Sequence, residues 1–392
     1  MTLLNLAAKN FLRAGAKAWL RVAVLSLAFV VIIGLQGMYQ GIAEQTSHAM
    51  IEAELGGGQY WQPKYDPQDL LTLSDAHGPV PSELTTLVDA GQATPILVVQ
   101  GYMYSKGSLR PVLLKGIDPA QRVLSIPAGA LAASGATVPA LIGTRMASEA
   151  GLKEGDIATV RWRDAKGTFD AEDFQIVRVM STSVQSIDSG QVWLPLETLR
   201  QKAGMPGEAS LVVLAPGATA SLAAGGTAWT FKDLDFLLAD VRAMIRTKEA
   251  GASIIYLVLI FLAMIAILDT QVLSIFYRKK EIGTLMALGL TRGSVIRLFT
   301  LEGALNAVLA AVAGAVYGIP LLALLVTKGI PMPAVAEQAG YAIGERIYPT
   351  YSAALVIGTT ALVGVVTTVV SYLPTRKIAT LQPTEALRGR LG

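Results

Sequence analysis

Two carboxylates stand where carboxylates are costly. Asp269 is the single ionisable residue in the apolar run 252–276, and Glu302 lies near the start of the apolar run 295–327. An ionisable group at hydrocarbon depth normally faces a bundle interior, water or a partner. A proton-linked site or a polar hinge is one use of such a group. A buried hydrogen bond that locks helix packing is another, and Glu302 is close enough to Arg292 to reach the aqueous boundary. The sequence offers no third partner for a proton relay.

Other chemistry-bearing patterns are sparse. The two histidines, His48 and His77, are too few and too far apart for a His-rich metal site. His48 and Glu52 share a helical face at a spacing of four, which reads as a solvated face before it reads as a metal site. With no cysteine there is no disulfide and no thiol chemistry. The patterns GxxxxGK[ST], GxSxG and HExxH do not occur. The chain therefore reads as no enzyme, and if ATP drives it, another chain hydrolyses the ATP.

Composition says what must position the two carboxylates. The 392 residues are 52% hydrophobic and only 16% charged, against roughly 25% charged in ordinary soluble domains. Apolar runs at 22–38, 252–276, 295–327 and 352–373 are each about long enough to cross a bilayer. The third exceeds what the hydrocarbon core needs, so it should tilt, kink or protrude, with Pro320 as the kink site. A cleaved signal peptide is set aside, because the first run is long and no small-residue cleavage site follows at once. Gly314 and Gly318 in the third run permit close helix approach, read as packing within one subunit. Lys and Arg gather before the first run, between the second and third, and after the fourth. The positive-inside rule then puts both termini in the cytoplasm and residues 40–250 outside.

Between the second and third runs lies RKKEIGTLMALGLTR, Arg278 to Arg292. Ile282, Leu285, Met286 and Gly289 fall on one face of a short helix. Gly289 should end it by taking a positive φ, and Thr291 and Ser294 can cap the next helix. Such a helix either rests on the membrane surface or docks into a groove on a soluble partner. Residues 40–55 and 231–250 read as stalk helices. Between them, β-rich runs at 96–104, 110–116, 157–162, 174–180, 192–194 and 211–214 alternate with helical pieces at 81–90 and 144–150. That pattern predicts an α+β domain. Trp162, Trp193 and Trp229 read as core or surface-docking residues. The fold class expected is a multi-pass α-helical membrane protein with four spans and a large α+β extracytoplasmic domain between spans one and two.

The run from Asp269 to Glu302 resembles the FtsX-like permease domain of ABC transporters. That family has a polar residue late in one span, usually Asn where this chain has Asp269. It continues with an Arg-rich exit (Arg278), Glu281-Ile282-Gly283, Ala287-Leu288-Gly289, and a Glu at the next span (Glu302). Ala7 to Arg13 resembles the family's N-terminal helix. Leu113 to Pro119 and Leu141 to Val160 resemble the MacB-like periplasmic core domain. Pro383, Glu385-Ala386-Leu387 and Arg388 resemble the C-terminal signature of the family.

The resemblance implies a permease subunit of a type VII (MacB/Lol-like) ABC transporter in the cytoplasmic (inner) membrane. It divides the chain at 1–39, 40–250 and 251–392. It makes Arg278, Glu281, Ile282, Gly283, Leu285, Met286, Leu288 and Gly289 the ATPase-coupling helix. Pro383, Glu385, Leu387 and Arg388 would lie near the ATPase. The implied partners are cytoplasmic ABC ATPase subunits, a second permease subunit (identical or not), membrane lipid, and an extracytoplasmic adaptor or carrier protein, with no nucleic acid. ATP and magnesium belong to the ATPase, and no cofactor or metal to this chain. The implied work is mechanotransmission, moving a lipoprotein, peptide, lipid or amphipathic drug. Two alternatives stay open: an FtsX-type regulator of a cell-wall hydrolase or sensor, and a stand-alone membrane receptor.

Overall fold

A computed structural model describes residues 15–376 apart from 106, 134, 136, 183, 220–228, 279–281, 285, 287–288 and 332–345. The chain divides into two compact units. The helical unit holds Met1–Ile42, Met244–Ile330 and Ile347–Gly392, and the sheet unit holds Ala43–Ala243 and Pro331–Arg346.

Four helices in the described residues are long and apolar enough to cross a membrane. The first, Ala16–Met50, continues as a π turn over Ile51–Leu55. The second is Ala239–Tyr277, the third Arg292–Lys328 and the fourth Ala353–Arg376. They match the four apolar runs of the sequence. None is strongly amphipathic, because each must meet neighbours on one side and lipid on the other. The third holds 37 residues, about 55 Å at 1.5 Å per residue against a core of about 30 Å. It remains helical through Pro320.

Inside the helical unit, Val22, Leu25 and Phe29 of the first span pack with Ala263 and Ile267 of the second. Ala307 and Ala310 of the third and Val363 and Val370 of the fourth complete that cluster. A Cβ on Gly318 would lie 2.6 Å from Val30 Cγ2, and one on Gly314 would lie 3.4 Å from the Ser26 carbonyl. The small-residue pair therefore seats the first span against the third within one subunit, as its spacing predicts. Two polar bonds add specificity: Tyr317 Oη to Ser26 Oγ at 3.2 Å, and Thr359 Oγ1 donating to Gln36 Oε1 at 2.6 Å.

The sheet unit is built from β1 (Gln59–Trp61), β2 (Gly78–Pro79), β3 (Ala93–Ser105), β4 (Ser108–Ile117), β5 (Val138–Gly143) and β6 (Ile157–Arg163). It continues with β7 (Phe169–Met180), β8 (Gln191–Pro195), β9 (Glu208–Ala209), β10 (Leu211–Leu214) and β11 (Thr230–Lys232). Nine of these form one mixed sheet in the order β11-β1-β10-β3-β4-β8-β5-β7-β6, and β2 pairs with β9. Most pairings are antiparallel, while β4–β8 and β5–β7 are parallel. Both faces are covered. Leu97, Val99 and Met103 of β3 enter one core with Trp162 and Phe174, and Ile96 and Val98 enter the other with Trp193 and Val213. Alternate residues of β3 thus serve opposite faces, so a run that is apolar almost throughout is buried on both sides.

The stretch 231–250 departs from its predicted continuous helix. Phe231 and Lys232 sit in β11, paired with β1, and the Phe231 ring lies 5.1 Å from that of Tyr60. Asp233 then caps a short helix, Leu234–Leu237, by accepting from the Phe236 amide at 2.8 Å, and the long helix begins at Ala239. Apolar residues three to four apart satisfy a helix, but an Asp cap placed just after Lys232 lets the preceding residues extend.

Gly56 closes the π turn at φ 57° and ψ −136°, and an added Cβ would lie 2.3 Å from the Leu214 carbonyl oxygen. Backbone strain and a rigid obstacle coincide there. Gly56→Ala should lower sheet-unit stability by about 3 kcal/mol. Gly91→Ala, at φ 70° but with open space around it, should cost only about 1 kcal/mol. Thermal unfolding of the two variants side by side checks the difference, and equal losses would discard the role of Leu214.

Candidate functional site

The second span ends at Tyr277, and Arg278 follows as a turn residue whose amide donates to the Ser274 carbonyl at 3.1 Å. Its guanidinium turns back toward the third span. Arg278 Nη1 donates to both Glu302 oxygens, at 3.0 and 3.1 Å, and the guanidinium carbon lies 4.9 Å from the centre of the Phe299 ring. Both side chains are mostly buried, at 22% and 12% exposure. A charge-assisted contact with an aromatic face beneath it fixes the Arg side chain more firmly than a surface pair would. Glu302, which the sequence marks as a costly carboxylate, is thus neutralised by a residue 24 positions away.

Below that pair the linking segment folds against its own spans. The Ile282 amide donates to the Arg278 carbonyl at 2.9 Å. Its side chain, 1% exposed, packs with Ile275 of the second span and Val295 and Phe299 of the third, with Met286 and Leu290 alongside. Gly283 is buried beside it. Gly289 takes φ 98° and stops the helical turn. Thr291 caps the third span, its Oγ1 accepting from the Ser294 amide at 3.3 Å. The terminator and the cap stand where the sequence places them. At Ile282 and Met286 the apolar face rests on the feet of the spans.

The structure therefore brings Arg278, Glu302, Ile282 and Met286 together. Asp269 is exposed on the flank of the second span, beside outward-facing Ile265, Val272 and Leu273. It makes no ion pair with the others among the described residues. Glu281, Leu285 and Leu288, and the tail residues Pro383, Glu385, Leu387 and Arg388, lie outside the described residues. His48 and Glu52 are both exposed, in keeping with a solvated face.

Residues that the sequence reading did not single out complete the site. Gly303 follows Glu302, and an added Cβ there would lie 2.0 Å from Ser371 Oγ and 3.5 Å from Gln271 Nε2. Gln271, Asn306 and Ser371 are buried at 1%, 5% and 0% exposure. Gly303, next to Glu302 in the chain, thus meets buried polar side chains of the second and fourth spans, and Asn306 is a further buried polar residue one turn along the third. The signal was present, since Gln271 and Asn306 interrupt apolar runs, but polar and uncharged residues are common enough in spans to pass unnoticed.

The sheet unit has a concavity of about 1040 Å³. At its base the Lys115 ammonium bonds to Glu54, which also accepts from Gln191 Nε2 at 3.1 Å. Its rim carries Trp61 and Phe236, ring to ring at 5.8 Å, with the Lys232 ammonium 4.3 Å from the Phe236 centroid. Lys115 is 5% exposed in its side chain, so its partner is obligatory rather than ornamental.

Residues 253–383 match the family described as FtsX-like permease C-terminal. The match covers the second, third and fourth spans and the linking segment. An uncharacterized ABC transporter permease of Methanocaldococcus jannaschii is 28% identical over 167 residues, 41% of this chain and 39% of that protein. The macrolide export ATP-binding/permease protein MacB of Shewanella oneidensis is 32% identical over 123 residues, 31% of this chain and 16% of that protein. MacB of Bordetella avium is 26% identical over 234 residues, 56% of this chain and 34% of its own length. The alignments thus span well under half the length of each of these relatives. The extracellular domain of the noncanonic ABC-type transporter YknZ from Gram-positive bacteria aligns with 41% of this chain and 83% of its own, at 14% identity. Its TM-score is 0.27, too low to carry the fold of the sheet unit.

Proposed function

We propose that this chain, which carries an FtsX-like permease region over residues 253–383, is the membrane subunit of an ATP-driven transporter whose ATPase is a separate cytoplasmic chain. The observation that carries this reading is the way 278–291 is rooted. Ile282 and Met286 are wedged against Ile275, Val295 and Phe299, and Arg278 is tied to Glu302. A push on this segment by a partner would move the second and third spans as one piece, because close-packed apolar contacts transmit displacement instead of absorbing it.

In this reading both termini and 278–291 face the cytoplasm, and the ATPase supplies ATP and magnesium. Closure of the ATPases displaces the linking segments of two permease subunits. The second span is one helix from Ala239 to Tyr277, and the first continues from Ala16 to Met50. Such helices carry the motion to the sheet unit, where a lipoprotein, peptide, lipid or amphipathic drug is handled without a pore. The sheet-unit concavity of about 1040 Å³, with its aromatic rim and buried ion pair, is of the size that takes one drug-sized molecule or a short stretch of a larger cargo. An extracytoplasmic adaptor or carrier would complete the route.

The test is copurification. The tagged chain in mild detergent should bring an ABC ATPase with it, and Leu285→Asp and Met286→Asp should abolish that. The native chain has no cysteine, so an introduced pair that cross-links the two stalk segments is unambiguous. Cross-linking should stop transport and reverse on reduction. If no ATPase accompanies the unmodified chain and the variants behave like it, the segment is a surface anchor and a receptor role replaces this one.

A further inference from the structure

We propose that the helical unit holds one anionic phospholipid in a groove between the first and second spans, with the phosphate on Arg21 and an acyl chain running along the second span. The groove measures about 380 Å³ and lies within the helical unit. Its polarity is divided by position. Arg21, Tyr277 and Arg278 line one end, and Val24, Ala263 and Ile267 line the rest. From Ala263 to Arg278 the second span advances about 22 Å, somewhat more than the roughly 15 Å of one leaflet's hydrocarbon. A molecule with a charged head and an apolar tail of leaflet length fits that division.

The charge at the mouth favours an anion. Arg278 is held by Glu302, and Arg21, at the same end of the groove, has no ion pair among the described residues. Two guanidinium groups against one carboxylate leave one positive charge among the described residues. Arg21 Nε is buried without a hydrogen-bond partner among them, and a phosphodiester oxygen is the acceptor a guanidinium suits best. Asp269 does not line the groove. A second protein helix would bring side chains to the apolar length but no anion to Arg21 unless an acidic residue happened to face it. The lipid supplies both with one molecule. The inference needs the spans and not the ATPase, so it stands or falls apart from the transport reading.

The experiment uses the full chain in nanodiscs of phosphatidylglycerol and phosphatidylcholine in equal amounts, followed by detergent extraction and native mass spectrometry. The original chain should retain about one phosphatidylglycerol, preferred over phosphatidylcholine. Arg21→Gln should cut that preference about fivefold, the factor for one basic residue at an anionic surface. Arg21→Lys should keep most of it. Ala266→Phe, which fills the groove wall, should lose both lipids while leaving the unfolding temperature in place. Equal retention of the two lipids by the original chain would overturn the proposal. So would Arg21→Gln and Ala266→Phe shifting the dimer population while lipid retention stays fixed, since the groove would then be a subunit seam.

Discussion

Glu302→Gln should lower the stability of the detergent-solubilised protein by about 3 kcal/mol, below the top of the range for breaking a buried ion pair because both groups retain some exposure. The substitution keeps shape and removes charge, so packing loss is small. What remains is Arg278, four-fifths covered and seated over Phe299, with its countercharge gone. Arg278→Gln should cost a similar amount by leaving Glu302 bare. The double variant should cost less than the two singles combined, by about 1–3 kcal/mol, the range for residues sharing one contact. Thermal unfolding of all four proteins measures that coupling. Strict additivity would mean that the pair does not form in the solubilised protein. In the proposed transporter the singles should also uncouple. ATP hydrolysis by the copurified ATPase should lose its dependence on cargo, because the linking segment can then slide without dragging the third span.

Gly303→Ala should do comparable damage through sterics alone. One added methyl group would sit 2.0 Å from Ser371 Oγ and 2.3 Å from Ser371 Cβ. The Cβ cannot rotate away, and Ser371 is wholly buried, so the third and fourth spans must separate. Overpacking of this kind costs typically about 1–3 kcal/mol, and the loss here should reach the upper end. Ser371→Gly in the same chain should restore most of the stability, because it empties the space that the methyl group needs. Size-exclusion profiles and unfolding temperatures of the single and double variants check both halves. A Gly303→Ala protein as stable as the original, or a double variant no better than the single, would refute the contact.

The fold was legible wherever its cause is local. Apolar length announces spans, and the four runs became the four long helices. Short β-rich runs between breakers announce strands, and all six of them became β3, β4, β6, β7, β8 and β10. The strands that went unread are those with weak local signals. β5 opens on Val138-Pro139 and carries a register shift at Ala140/Leu141, and β1 and β11 have three residues each. Their extended backbone is held by neighbours, and β11 contradicts the helical spacing of its own residues.

For the site, the sequence alone determined that a charged segment links two spans, that Gly289 ends it, that Thr291 can cap the third span, and that Glu302 is a carboxylate near the start of an apolar run, with water, a hydrogen bond or a partner all open to it. Each of these rests on the conformation of a few adjacent residues or on the cost of a charge in hydrocarbon. Only the tertiary structure decided which partner Glu302 has and that Asp269 stands apart from it. It also decided that Ile282 buries its side chain on Ile275, Val295 and Phe299, and that Gly303 is small because Ser371 is there. Those facts depend on how helices distant in sequence rotate and pack against one another. A helix's own periodicity fixes which residues share a face, but not which face meets which neighbour.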